Sequence, residues 1–329
     1  MSESRVTYLE AISQAIREEM RRDEAVFLLG EDVGTYGGAF KVSAGFLEEF
    51  GPERVIDTPM AEAAIIGSAV GAALMGMRPI AEMQFIDFIT CGFDQIINMA
   101  SKMYWRVGMP VPMVIRGPSG GGTKGGPFHS ASPEAWFFHT PGIKVVVPST
   151  AYDAKGMLKS AIRDNNPVLY LEHKLLYRMP ELREELPMED YTVPLGKAIV
   201  RREGEDMTIL TYGAMVYQCL KAAQTLEEDD DLEVEVIDLR TLSPLDREAI
   251  LDSVKRTNKV LIVHEDTLTG GIGAELSAIL AEELFEYLDG PVTRVAAPDV
   301  PFPYAPPLEA AYLPNAEKIL TAARKLAAY

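Results

Sequence analysis

The stretch V55-IDTPMAEAAIIGSAVGAALMG-M77 sets one carboxylate, Glu62, ahead of an uncharged run from Ala63 to Met77. The run is shorter than the roughly 20 apolar residues that span a bilayer. Its larger side chains, Ile65, Ile66, Val70 and Leu74, are spread around a helical circumference, which predicts a helix buried on all sides inside a globular protein. Thr58 suits the N-cap and Pro59 the first helical position, where the missing N–H would have no partner. Glu62 then has two readings. It is one residue too far from Thr58 for a capping box, yet an acid in the first turn still gains from the helix dipole. Alternatively it is a carboxylate held in a dry interior, which is costly without a partner and marks a functional-site candidate.

Composition agrees with a globular chain. The 329 residues suffice for two domains, and 47% hydrophobic with 24% charged residues is ordinary for a water-exposed fold. Neither a signal peptide nor a membrane span is expected, and the expected location is cytoplasmic. Against 31 basic residues stand 49 acidic ones, a net charge of −18 that disfavours nucleic acid and anionic membranes and favours a basic partner. The acidic run Glu227–Asp231 reads as a solvated turn after a helix. Cys91 and Cys219 are too far apart for a disulfide framework or zinc site, and both read as buried fillers.

Outward from the opening stretch, strands and helices alternate. Thr7 and Glu10 form a capping box before the amphipathic segment YLEAISQAIREEMRRD. The short β-branched runs AVFLLG, RPIAEMQF, VPMVIRG, IKVVVPS and PVLYLEH alternate with helical segments, including FDQIINMASKMYWRVG and AYDAKGMLKSAIRDN. This order predicts a parallel sheet with helices on both faces. Periodicity lapses near residues 181–200, the expected linker between a domain at 1–180 and a second α/β domain at 201–329. The second block has strands at MTILTYG, EVEVIDL, KVLIVHE and VTRVAA, and four helices. The proline-rich stretch 297–314 reads as a stiff surface connection.

Three constellations could carry chemistry. The segment RGPSGGGTKGGPFHS holds six glycines between Gly117 and Gly126 and ends at His129. Such a loop lets backbone approach a ligand closely, but its spacing is not that of a P-loop. The segment HEDTLTGGIGAEL places Gly271 and Gly273 between strand and helix, but Leu276 stands where a dinucleotide fingerprint needs a third glycine. Phe85 and Phe88 follow a strand end, where open parallel sheets bind ligands, and either could stack on a flat one. His139, His173 and His264 lie in or against apolar runs and read as structural.

In several long motifs the chain resembles the β subunits of the thiamine-diphosphate-dependent component of 2-oxo acid dehydrogenase complexes. These motifs are DTPMAEAAIIGSAVGAA, AEMQFIDFITCGFDQIINMASK, the stretch from FHSASPEAW to LEHKLLYR, and HEDTLTGGIGAELSA. The resemblance implies two doubly wound α/β blocks, a pyrimidine-binding domain and a transketolase C-terminal-like domain. It implies that Glu62 hydrogen-bonds N1′ of the thiamine pyrimidine, that Phe88, with Gln84 and Phe85, lines the cofactor, and that His129 assists acyl transfer to lipoate.

The chain contains no Gly-Asp-Gly, the family's magnesium-diphosphate motif. The resemblance assigns that motif and the magnesium to an α subunit, so the site is shared in an α2β2 heterotetramer that delivers acyl groups to a lipoyl-bearing acyltransferase core through the C-terminal domain. Ala161, Asp164 and Asn166 match part of the family's potassium site. Pyruvate and branched-chain 2-oxo acids both remain open as substrates. Alternatives are an acetoin dehydrogenase β subunit and, from a different class, a non-catalytic nucleotide-binding or assembly protein.

Overall fold

A computed structural model describes residues 5–329, which divide into two compact units. The first comprises the chain up to Ser119 together with Trp136–Leu195, and the second Gly120–Ala135 with Gly196–Tyr329. Beside a short antiparallel pair, Arg5–Val6 with Glu184–Glu185, the first unit has a main sheet of strands β1 (Val26–Gly30), β2 (Val55–Asp57), β3 (Arg78–Glu82), β4 (Val114–Ser119), β5 (Lys144–Val146) and β6 (Val168–His173). Its main helices are α1 (Tyr8–Arg22), α2 (Glu62–Leu74) and α3 (Ala151–Arg163). The strands are parallel and ordered β5-β6-β4-β3-β1-β2. Every residue of β1, β4 and β6 is buried, as expected of parallel strands covered on both faces. From β1 the chain moves to β2 on one side and then crosses to β3 on the other. The order therefore reverses between β1 and β3, and the crevice beyond their carboxyl ends is the ligand position for this architecture.

Local chemistry explains the elements. The Thr7/Glu10 capping box is closed in both directions at the start of α1. On its packed face, buried Glu19 pairs with Arg163 of α3 over 2.6 Å. Helix α2 departs from expectation in two ways. It begins at Glu62 with Ala61 as N-cap, and neither Thr58 nor Pro59 belongs to it. The Thr58 N–H instead donates to Gly30 O at 2.9 Å, so this residue continues the edge of β2 rather than starting the helix. Nor is α2 buried all round: Ile65, Ile66, Ala69, Val70 and Ala73 face the core, while Ala63, Ala64, Ser68 and Gly71 are exposed. Small side chains made the run look uniformly apolar although only one face packs. The helix expected over residues 93–108 is broken into a π-type turn at Gln95–Ala100 and a short helix at Met103–Val107. Cys91 is exposed, contrary to its reading as a filler, whereas Cys219 is buried.

The second unit has strands β7 (Ile199–Arg202), β8 (Met207–Thr211), β9 (Val234–Asp238), β10 (Val260–Thr267) and β11 (Thr293–Ala297), ordered β11-β10-β8-β9-β7. All pairs are parallel except that with the edge strand β7. Helices α4 (Met215–Asp230), α5 (Arg247–Thr257), α6 (Ile272–Leu284), α7 (Pro306–Tyr312) and α8 (Ala316–Ala327) complete it. The acidic run closes α4, where Asp231 caps it at φ 56° and Glu227 and Asp230 pair with Arg202 and Arg324. Gly271 caps α6, and Gly271 and Gly273 leave room for the buried His264 ring: a Cβ at either would lie 2.7 Å from it. These glycines serve packing. Among the described residues no helix is long and apolar enough to cross a membrane.

Candidate active site

In the first unit the structure gathers Glu62, Gln84, Phe85 and Phe88 around the β1/β3 crevice. Glu62 is the first residue of α2 and is half-buried rather than sealed in a dry interior. Gln84 and Phe85 lie just beyond β3, and the Gln84 amide reaches Asp32, just beyond β1, at 3.5 Å. The segment Ile86–Gly92 packs on the first turns of α2: a Cβ on Gly92 would sit 3.3 Å from the Glu62 carbonyl oxygen and collide with Ile66. Phe88 is thus carried on a turn fixed against the helix that carries Glu62. An aromatic chain runs Tyr177–Phe40–Phe85–Phe88, with ring centroids 5.2, 5.5 and 6.3 Å apart.

Beneath this rim lies an ion network that sequence reading missed. Arg116 of β4, fully buried, forks onto Glu172 of β6 and also pairs with Glu82 of β3. The Tyr177 hydroxyl donates to Glu172 at 2.6 Å. Burial pushes the Glu82 carboxyl up and Glu172 pushes it further, against the pull of Arg116. Glu31, just past β1, was also missed because Glu-Asp after a strand looks like a solvated turn. It is buried, and burial followed by the charges of Glu62 and Asp32 raises its carboxyl. The Thr58 hydroxyl oxygen is buried without a hydrogen-bond partner among the described residues, an unspent polar contact four residues before Glu62.

Ala161, in the last turn of α3, and Asp164 and Asn166, in the turn that leads from α3 into β6, lie elsewhere, at the amino-terminal end of that strand. The Asp164 carboxylate pairs with Lys144 and accepts from Asn166, while Arg78 donates to the Asp164 and Ile162 carbonyl oxygens at 2.9 Å. Among the described residues no group of His, Cys, Asp and Glu could hold a metal ion by itself.

His129 belongs to the second unit, half-exposed, and its N–H closes a tight turn onto Gly126 O at 3.3 Å. The glycine loop before it is held by acids outside the expected site: Glu265 accepts from Gly121 N–H at 2.5 Å, and Glu309 accepts from Gly122 and Lys124 N–H at 2.8 and 3.2 Å. The proline-rich stretch expected to be mere connection therefore carries a buried carboxylate and two aromatic rings, Phe302 and Tyr304, that meet the loop.

Residues 4–180 match the family of the transketolase pyrimidine binding domain, and residues 196–319 match that of the transketolase C-terminal domain. The chain is 51% identical over 327 residues to the 2-oxoisovalerate dehydrogenase subunit beta of Bacillus subtilis, covering 98% of this chain and 99% of the relative. The chain belongs to the family of 2-oxo acid dehydrogenase β subunits. The pyruvate dehydrogenase E1 component subunit beta of Bacillus subtilis is 46% identical, with 98% and 99% covered. The mitochondrial subunit of Dictyostelium discoideum is 45% identical, with 98% and 91% covered. A solved structure described as "Split gene transketolase, inactive beta4 tetramer" matches with a TM-score of 0.81 at 24% identity, covering 98% of both chains, and shares the fold of this family.

Proposed function

We propose that this chain is the β half of a thiamine-diphosphate-dependent 2-oxo acid dehydrogenase, acting on pyruvate or a branched-chain 2-oxo acid with an α subunit in an α2β2 assembly. The observation that carries the reading is the β1/β3 crevice, where a first-turn carboxylate, an aromatic turn and an unpartnered buried hydroxyl converge. These groups suit an aminopyrimidine: Phe88, Phe85 and Gln84 would line it, and Glu62 would share a proton with its N1′. Thiamine diphosphate supplies the electron sink for decarboxylation. Glu62 supplies a positioned proton donor and acceptor at one ring atom. The domain boundaries belong to the same proposal: pyrimidine-binding domain at 1–180, linker at 181–200 and C-terminal domain at 201–329.

With no Gly-Asp-Gly in the chain, the reading leaves magnesium and diphosphate to the α subunit. His129 would then act at acyl transfer to a lipoyl group on the acyltransferase core, which the acidic C-terminal domain would meet through a basic segment. The chain with thiamine diphosphate and magnesium is expected to be inactive until its α partner is added, and then to decarboxylate pyruvate or branched 2-oxo acids. Turnover by the chain alone would overturn the shared site. Potassium at the Ala161, Asp164 and Asn166 turn has Arg78 and Lys144 set against it. If the turn holds potassium in spite of these cations, thermal stability should be greater in potassium than in sodium, and equal stability in the two would reject the site.

A further inference from the structure

We propose that Glu309 and Glu265 are positioning residues that clamp the glycine-rich loop Gly120–Gly126 as the platform for His129. The inference rests on the reading of His129 as the acyl-transfer residue and names what sets its place.

Between β4 and the 3-10 turn Gly126–Phe128, residues 120–125 have no strand or helix to satisfy their backbone N–H groups, and Gly121 among them is buried, where an unpaired N–H is costly. Three of its N–H groups are taken by two buried carboxylates. One oxygen of Glu309 accepts from both Gly122 and Lys124, while Glu265, at the end of β10, accepts from Gly121. Hydrogen bonds to an ionised acceptor are the stronger kind and fix direction as well as distance. The glycines complete the fit. A side chain on Gly121 would strike the Phe302 ring, and one on Gly126, at φ 69°, would strike Tyr304. The backbone itself is therefore the surface that packs.

This placement passes to His129 through two short links. Gly120 N–H donates to Ala131 O at 2.9 Å, so the loop closes on itself around His129. A Cβ on Gly125 would sit 2.8 Å from the His129 carbonyl oxygen. Releasing Gly122 and Lys124 from Glu309 thus frees the segment that His129 closes on. Acyl transfer is sensitive to such loosening, since a displacement of about 1 Å can cost ~10² in rate.

The test uses the enzyme assembled with its α subunit and the variants Glu309→Ala, Glu309→Gln and His129→Ala. Three quantities are measured: tryptic cleavage after the exposed Lys124, kcat and KM for acylation of a lipoyl domain, and decarboxylation with an artificial electron acceptor. Glu309→Ala is expected to speed cleavage and to lower the acylation kcat by about 10-fold, with KM and the artificial-acceptor rate unchanged. Glu309→Gln is expected to restore most of the loss, because its amide oxygen can accept the same two N–H groups. Cleavage at the wild-type rate in Glu309→Ala, equal losses in both activities, or a Gln variant as damaged as the Ala variant would each overturn the clamp. Normal acylation by His129→Ala beside faster cleavage in Glu309→Ala would instead reject the role read for His129 and leave the clamp supported.

Discussion

The Tyr212 hydroxyl donates a 2.8 Å hydrogen bond to Glu134, and both side chains are buried. Burial first, and then the charge of Asp266, push the Glu134 carboxyl up to about 8, with Glu265 adding to the push and the Tyr212 bond opposing it. Because the native value lies above the unfolded one, the stability this group contributes is complete below the ordinary carboxylate range. It is lost as pH rises toward about 8. Glu134→Gln is uncharged throughout, so the unfolding midpoint of the native protein relative to this variant should fall steadily across that window. A difference independent of pH would mean that Glu134 is ionised throughout.

His264 works in the opposite direction. Its ring is fully buried against Gly271 and Gly273, and neither ring nitrogen has a hydrogen-bond partner among the described residues. Burial holds it down to about 4, against the opposing pull of the Asp266 backbone. Below its ordinary value of 6.5 the unfolded chain takes a proton that the native state refuses, so stability falls as pH drops and levels off near 4. His264→Leu should flatten that acid limb in a series of urea titrations. An unchanged slope would place the acid sensitivity elsewhere.

Arg116 predicts an asymmetry between partners. Removing it strands Glu82 and Glu172 in the core, and breaking a buried ion network from one side costs about 3–5 kcal/mol. Arg116→Met should therefore lower the urea midpoint far more than Glu82→Gln, since the Glu82 carboxyl is already pushed toward its neutral form. Equal losses would show that the three side chains do not act as one network.

Strand runs such as VFLLG and the VLYL that opens β6 were legible because parallel strands buried on both faces read as near-continuous apolar runs. The Thr7 cap was legible because both halves of its motif are local. The start of α2 was not, because Thr58 gives its N–H to Gly30, a contact made by the sheet and invisible to spacing. Glu62, Phe85 and Phe88 could be singled out by type and by position after strands. Glu31, Glu265 and Glu309 could not, since each becomes distinctive only through burial and through partners distant in sequence, such as the backbone of residues 121–124 for Glu265 and Glu309. Acids that serve backbone carry no periodic signature.

Glu62 separates the structural from the catalytic reading of the first turn of α2. Glu62→Gln keeps size and packing and removes only the ionisable proton. If the carboxylate merely complements the helix dipole, the change should cost at most about 1 kcal/mol of stability and spare catalysis. Ala61, the N-cap, makes no side-chain cap, and no hydrogen bond ties Thr58 to the helix start, so a capping box does not account for Glu62. If Glu62 exchanges a proton with N1′ of the pyrimidine, the α2β2 enzyme should assemble normally while exchange of the cofactor's C2 proton slows by about 10² or more, the scale of general acid–base catalysis. The measurement is quench-flow C2–H exchange on the assembled variant. A wild-type rate there would return Glu62 to a purely structural role, even though Phe88 sits on a turn packed against the same helix.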